Sequence, residues 1–224
     1  MISLQSLSKS YGSHAVLTDI NVRFRRGEIN GIVGENGAGK TTLFKCIAAL
    51  ESYEGTVDYD QGILKNKLGY LPTDPFFLSK ITGKEYLQFV CIARGIGKVN
   101  IDESNLFDLP LGEYAENYST GMKKKLALTG LLLQKNDVFI LDEPFNGVDL
   151  HSNLIIDEVL SKLKELNKIV VLSSHIFSTL KACDYLHHLK EGKIVTTVSK
   201  ENFELVEQEM KGGGISSKVI DLLK

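Results

Sequence analysis

Tryptophan is absent from this 224-residue chain, and proline and cysteine are scarce, with four and three copies. The cysteines, Cys46, Cys91 and Cys183, lie far apart and form no C-x-x-C pair, so neither a zinc site nor a disulfide framework is indicated. Isolated cysteines of this kind are typical of small buried side chains in a reducing compartment. Long hydrophobic runs are also missing, because none approaches the ~20 apolar residues of a membrane-spanning helix.

The chain has no excess of positive charge either. Lys and Arg number 26 against 28 Asp and Glu, which gives a formal net charge of −2. Such a balance lacks the basic surface that non-specific nucleic-acid binding requires, so we expect no nucleic-acid partner. Residues 1–5 lack the charged and apolar regions of a signal peptide, which favours a cytoplasmic location.

One glycine-rich motif stands out against these absences. An apolar stretch at 29–33 precedes it and helical spacing at 43–50 follows it, so the motif joins a predicted strand to a predicted helix. A plain glycine-rich turn would give the same letters, but a chain of this length should match the pattern by chance roughly once in a hundred sequences. The motif is G-x-x-x-x-G-K-T, the phosphate-binding P-loop, written here by Gly34, Glu35, Asn36, Gly37, Ala38, Gly39, Lys40, Thr41 and Thr42.

The chemistry of this loop predicts a nucleoside triphosphate ligand. Its glycines let successive backbone N–H groups point at one anion, and the helix N-terminus adds a partial positive charge. Lys40 can then reach the β- and γ-phosphates, and the Thr41 hydroxyl can ligate Mg²⁺. We therefore expect residues 34–42 to bind a nucleoside triphosphate with Mg²⁺.

Two further predicted strands end in residues that suit the same site. The apolar strand 138–141 ends at Asp142 and Glu143, where an aspartate of P-loop NTPases helps to hold Mg²⁺. Glu143 is placed to accept a proton from an attacking water. Strand 169–174 ends at His175, which alone would be an ordinary loop residue but in this order is predicted to contact the γ-phosphate.

The hydrophobic pattern predicts an α/β fold. Alternation over residues 2–24 indicates antiparallel strands, and later continuous apolar strands separated by helices indicate a parallel sheet covered on both faces. We expect a nucleotide-binding core with an antiparallel β subdomain over residues 1–75 and 135–199, an all-helical insert over 76–134 with a short helix at 99–109, and a helical tail over 200–224.

With the P-loop, the helical insert, Asp142-Glu143-Pro144 and Ser174-His175 in this order, the sequence resembles the ATP-binding subunit of ABC transporters. The resemblance runs from Leu4 to about Val198 and implies a P-loop NTPase (RecA-like) core, ATP hydrolysis, and a separate transmembrane permease that holds the subunit at the inner face of the cell membrane. Tyr11 lies where this family places an aromatic residue that stacks on adenine.

The resemblance also implies a dimer. Residues 118–122 lie at the position of the family signature sequence, and two copies would meet head to tail, forming a homodimer. Ser119 and Gly121 would then contact the γ-phosphate of ATP bound to the other copy. The basic run Lys123-Lys124-Lys125 opposes the usual charge preference of a helix start. A bound triphosphate would relieve this conflict, although a solvated basic face is the favoured interpretation.

Departures from the family pattern keep other functions open. Thr73 stands where the family has a metal-contacting glutamine, and its shorter side chain predicts action through a bridging water or none. Thr120 and Met122 replace a glycine and a glutamine of the signature. The sequence over residues 119–125 resembles that of exporters whose membrane subunit is a separate chain, which implies export. The alternatives are an ATP-binding regulatory module with impaired hydrolysis, a soluble ABC protein outside transport, and a P-loop nucleotide kinase.

Overall fold

The computed structural model describes residues 1–211, and the part of the predicted helical tail beyond residue 211 lies outside the described residues. Within that range the chain forms nine strands and five α-helices. The strands are β1 (Ile2–Tyr11), β2 (His14–Phe24), β3 (Glu28–Val33), β4 (Glu54–Tyr59), β5 (Leu68–Leu71), β6 (Val138–Leu141), β7 (Ile169–Ser174), β8 (Tyr185–Lys190) and β9 (Lys193–Ser199). The helices are α1 (Lys40–Ile47), α2 (Gly83–Ala93), α3 (Thr120–Leu133), α4 (Leu150–Glu165) and α5 (Phe203–Lys211).

The predicted antiparallel subdomain is a three-stranded sheet with the order β2-β1-β4. Ile2 lies opposite Phe24 on one neighbour and Tyr59 on the other. The alternating apolar residues of β1 and β2 face one side and pack with Leu43 and Phe44 of α1. This packing explains the period of two in the sequence, because only one face of the sheet is buried.

The main sheet has six strands in the order β5-β6-β7-β3-β8-β9. The first five are parallel, and β9 closes an antiparallel hairpin with β8. Val33 pairs with Ser174, and Leu141 pairs with Leu172, so β3, β6 and β7 end at one edge. The loops that follow these three strands therefore meet at that edge.

Helices cover both faces of this sheet. Phe139 and Leu141 of β6 belong to a core formed with α2, α3 and α4, whereas Val138 and Ile140 belong to a core formed with α1 and the antiparallel sheet. Burial on both faces accounts for the continuous apolar runs in the sequence. No helix among residues 1–211 has the length and apolar character needed to cross a membrane.

The insert is less helical than the sequence predicts. Helix α2 begins with a capping box, in which Thr82 accepts from the Glu85 N–H and Glu85 accepts from the Thr82 N–H. The predicted short helix at 99–109 is wrong, because these residues form turns. The Asn105 side chain bonds both the N–H and the carbonyl of Leu109. Such side-chain bonds to the backbone compete with helix formation.

Candidate functional site

A cavity of about 450 Å³ lies at the edge where β3, β6 and β7 end. Its walls come from five stretches of the chain that are distant in sequence. Four of them follow β3, β5, β6 and β7, which are neighbours in the main sheet, and the fifth is Val16 of β2. The lining residues are Val16, Asn36, Gly37, Gly39, Lys40, Thr41, Thr42, Thr73, Asp142, Glu143, Asn146 and His175.

The P-loop enters this cavity through backbone conformations that favour glycine. Gly37 and Gly39 have φ values of 84° and 109°, in the left-handed region. Gly39 is the N-cap of α1 and provides no side-chain acceptor, and the first turn of α1 carries no acidic residue. The N-terminus of α1 therefore presents its positive end to the cavity, as an anion site requires.

Lys40 lies within the loop itself. Its side chain is buried, and Nζ donates to the carbonyl oxygens of Gly34 at 2.7 Å and Glu35 at 3.0 Å. Burial lowers the pKa of Lys40, and the negative charges of Glu143 and Asp142 oppose that shift. The ammonium is thus placed between the loop backbone and two carboxylates at the cavity wall.

Asp142 is fully buried and accepts hydrogen bonds from three hydroxyl groups. Thr41 Oγ1 and Thr73 Oγ1 donate to Oδ2 at 2.7 and 2.8 Å, and Ser173 Oγ donates to Oδ1 at 2.6 Å. The direct bond from Thr73 was not expected from its short side chain. It arises because β5 and β6 are neighbours, with Leu71 paired to Leu141.

These oxygen atoms form a donor set that suits Mg²⁺. Magnesium prefers hard oxygen ligands and is commonly held by one or two carboxylates together with phosphate oxygens. Thr41, Thr73 and Asp142 supply two hydroxyls and one carboxylate at one point of the cavity wall. No group of three or more His, Cys, Asp or Glu residues suited to a metal occurs among residues 1–211.

Glu143 is oriented by contacts on both its backbone and its side chain. Its Oε2 lies 2.9 Å from Nδ1 of His175, and its N–H donates to Ser173 Oγ at 2.9 Å. The Glu143 side chain is 11% exposed, and that of His175 is 40% exposed. A carboxylate that is nearly buried yet lines a cavity is suited to accept a proton from a bound water.

Some predicted site residues lie outside the walls of this cavity. Glu35 and Ala38 line a neighbouring cavity of about 240 Å³ together with Asn36 and Gly37. Tyr11 is 46% exposed, and Lys9 Nζ lies 4.6 Å from its ring centroid.

Ser119 and Gly121 also lie away from the cavity, at the start of α3. Ser119 caps this helix by accepting from the Met122 N–H at 3.3 Å. Within one chain these two residues therefore do not meet Lys40, Asp142 or Glu143 in the cavity wall.

The sequence interpretation missed Ser173 and Lys124. Lys124 is 2% exposed, and its Nζ donates to the carbonyl oxygens of Glu143 at 2.7 Å and Asn146 at 2.9 Å. The favoured interpretation of the basic run as a solvated face is therefore wrong for Lys124. A signal was present, because Lys124 lies three residues after Gly121 and four before Leu128, on the buried face of α3.

Relatives with similar sequences are ATP-binding proteins of transport systems. The family model described as "ABC transporter" matches residues 17–146. The bacitracin transport ATP-binding protein BcrA of Enterococcus faecalis is 32% identical over 99% of this chain and 78% of its own length. The energy-coupling factor transporter ATP-binding protein EcfA1 of Thermotoga maritima is 33% identical over 93% of this chain and 85% of its own length.

Solved structures confirm the predicted fold class. A structure of an ATP-binding subunit of an ABC transporter has a TM-score of 0.80 at 24% identity and covers 100% of both chains. The ATP-binding cassette MJ0796, dimeric and bound to ADP and Pi, has a TM-score of 0.79 at 21% identity, covering 89% of this chain and 99% of its own. Since the family model spans more than half of the sequence and several relatives exceed 30% identity, this chain belongs to the ABC transporter family, as an ATP-binding subunit.

Proposed function

We propose that this chain hydrolyses ATP with Mg²⁺ in the 450 Å³ cavity and drives transport through a separate membrane-spanning permease. The observation that carries the proposal is the convergence of Lys40, Thr41, Asp142, Glu143 and His175 on that cavity. Lys40 supplies a cation, and Thr41 and Asp142 supply a metal-binding pair. Glu143 is the base, and His175 is the polar partner of the base. Each function needed for phosphoryl transfer to water is thereby represented.

Residues 34–42 bind the triphosphate in this proposal. The loop N–H groups and the N-terminus of α1 face the phosphates, and Lys40 places its charge beside the β- and γ-phosphate oxygens. Thr41 and Asp142 hold the metal, and the Thr73 hydroxyl, 2.8 Å from Asp142, adds a third oxygen there. When bound, Mg²⁺ neutralises charge on the phosphate oxygens.

Glu143 accepts a proton from the attacking water. The water oxygen forms a bond to the γ-phosphorus while the bond between that phosphorus and the β,γ-bridging oxygen breaks, and the bridging oxygen keeps the electron pair on ADP. His175, 2.9 Å from the Glu143 carboxylate, keeps the base directed into the cavity and faces the γ-phosphate. The products are ADP and phosphate.

A second copy of the chain completes the site in this proposal. Ser119 and Gly121 lie outside the cavity of their own chain, at a helix start that can bind an anion. A head-to-tail homodimer would bring them to the γ-phosphate of the partner. Tyr11 would stack on adenine with the ring face that Lys9 leaves open.

In this proposal each predicted subdomain has its own role. Residues 1–75 and 135–199 bind and cleave ATP, and residues 76–134 carry the signature residues. The permease holds the subunit at the inner face of the cell membrane. We propose export as the direction, because the sequence pattern over 119–125 favours it and relatives are named for bacitracin and lantibiotic transport.

Hydrolysis is tested by Glu143→Gln, with Glu165→Gln on the exposed end of α4 as the matched control. Loss of a general base should lower ATP turnover about 10²- to 10⁴-fold while ATP binding and an ATP-dependent dimer persist. The control should keep wild-type turnover. Wild-type turnover in Glu143→Gln would remove the base from the mechanism, and binding without turnover in the unmodified protein would favour the regulatory module.

Transport is tested by co-purification from detergent-solubilised membranes, followed by assays in vesicles. We expect a membrane-spanning chain to co-purify and ATP to drive substrate into inside-out vesicles. Uptake into right-side-out vesicles would contradict export. Absence of any membrane-spanning partner would favour a soluble ABC protein.

A further inference from the structure

The start of α3 and the loop that follows Glu143 contact each other at three points. A Cβ added at Gly121 would collide with the Gly147 carbonyl oxygen, so the two backbones touch. Lys125 Nζ lies 3.0 Å from Asp149 Oδ2 at the surface. Lys124 reaches between these contacts into the interior. The helix that carries Ser119 is thus packed directly on the loop that carries the base.

Lys124 forms the most buried of these contacts. Its ammonium donates to Glu143 O and Asn146 O at 2.7 and 2.9 Å, on a side chain that is 2% exposed. A buried charge without partners is strongly unfavourable, so these two carbonyl groups account for its place in the interior. Burial lowers the pKa of Lys124, and the charges of Glu143, Asp74 and Asp142 oppose the shift.

The backbone of Glu143 explains why such a contact is needed. Its φ is 52°, in the left-handed region that residues other than glycine rarely adopt. Conformations of this kind persist only where surrounding contacts determine them. Here the Glu143 carbonyl accepts from Lys124 Nζ and from the Asn146 N–H at 3.2 Å, while Ser173 holds the N–H.

We propose that Lys124 is a positioning residue for hydrolysis, which fixes the backbone of Glu143 and thereby ties the base to the helix that carries Ser119 and Gly121. Among the three contacts, the Lys124 side chain is the one that bonds Glu143 itself, so movement of this helix reaches the base of the same chain through it. In a head-to-tail dimer, occupation of one ATP site would in this way influence the base of the other. This inference rests on the proposed role of Glu143.

The first experiment replaces Lys124 with methionine, which keeps length and removes the charge and the donors. Lys168→Met is the matched control, because Lys168 is 23% exposed and bonds Asp137 at the opposite end of the strands. A displaced base should lower kcat about 10²-fold in Lys124→Met, with ATP affinity as in wild type. Lys168→Met should keep the wild-type kcat.

Conservative variants separate positioning from packing. Lys124→Arg keeps the charge and the donors and should recover more turnover than Lys124→Gln, which keeps one short donor group. Thermal unfolding establishes which variants are folded, and only the kcat values of folded variants are compared. A double-mutant cycle with Ser119→Ala should show non-additive effects on kcat, because both residues act through the same helix.

Three results would overturn the inference. They are a kcat of Lys124→Met equal to that of Lys168→Met, a loss of ATP affinity that matches the loss of kcat, and failure of every Lys124 variant to fold. Additive effects in the cycle would leave Lys124 without a link to Ser119 and would also count against it. Glu143→Gln is measured in parallel, since its normal turnover would refute the proposed function instead.

Discussion

The P-loop and the loop after Glu143 are each held by a buried lysine that donates to two backbone carbonyl groups. Lys40 bonds Gly34 and Glu35, and Lys124 bonds Glu143 and Asn146, at distances between 2.7 and 3.0 Å. Burial lowers the pKa of both lysines. In these respects the two loops are built alike.

The difference lies in where each lysine comes from and what it faces. Lys40 belongs to the loop that it bonds and lines the cavity. Lys124 comes from another helix and lies outside the cavity lining. Lys40 can therefore exchange its carbonyl partners for phosphate oxygens, whereas Lys124 is committed to the backbone. In the proposed mechanism, the same contact serves ligand binding in one loop and backbone geometry in the other.

The largest effect is expected from Lys40→Met. Loss of the cation proposed to face the β- and γ-phosphates should weaken ATP binding by about a thousandfold, since each of the two charge-assisted hydrogen bonds contributes about 1.5–3 kcal/mol. Titration calorimetry with Mg-ATP measures it, and Lys124→Met is the comparison that should retain affinity. Equal ATP affinities of the two variants would show that the two lysines do not differ in ligand binding.

Ser173→Ala should have the next largest effect, because Ser173 joins the two acidic residues of the site. Its hydroxyl donates to Asp142 and accepts from the Glu143 N–H, and both groups would lose a buried partner. We expect a loss of about 3 kcal/mol in the free energy of unfolding. Urea unfolding measures it. Ser161→Ala, on the exposed part of α4, should change stability by less than about 0.5 kcal/mol.

A smaller loss is expected from Gly121→Ala, which tests the close contact of α3 with the loop after Glu143. The new methyl group meets a backbone oxygen, so the helix or the loop must shift at a cost of about 1–2 kcal/mol. Gly112→Ala is the control, since nothing lies within 4 Å of a Cβ there. Equal unfolding midpoints in urea for the two variants would mean that the contact is loose.

The smallest effect is expected from Lys125→Met. Its partner Asp149 has a side chain that is 56% exposed, so solvent screens the pair. The pKa of Asp149 is lowered more by its hydrogen bonds with Ser152 than by Lys125. Turnover should stay within about twofold of wild type. A loss as large as that of Lys124→Met would show that the exposed contact, and not the buried one, links α3 to the base.

The parts of the molecule that depend on local sequence were predictable. The P-loop, the capping box at Thr82 and the strand ends at Asp142 and His175 are each written within a few consecutive residues. Parallel pairing then places these strand ends at one edge without further information. The fold class followed from the same periodicities.

Contacts between distant residues were not predictable. Lys124 looked like one of three solvated lysines, because the carbonyl groups that it bonds are 19 and 22 residues away. Thr73 looked too short because its distance from Asp142 depends on the pairing of β5 with β6, which precede these two residues. Residues 99–109 form turns despite their helical pattern, because the Asn105 side chain bonds the N–H and the carbonyl of Leu109 in place of a helix.

The strand order has a consequence for how the chain folds during synthesis. The strand that leads into the P-loop, β3, pairs with β7 and β8, and both follow it by more than a hundred residues. At about 5–20 residues per second, β3 waits several seconds on the ribosome before a partner emerges. The α2–α3 segment, whose contacts are closer in sequence, can form earlier. A nascent chain stalled before residue 169 would present the P-loop strand without its partner strands, so we expect ATP to stabilise only chains that extend beyond β8.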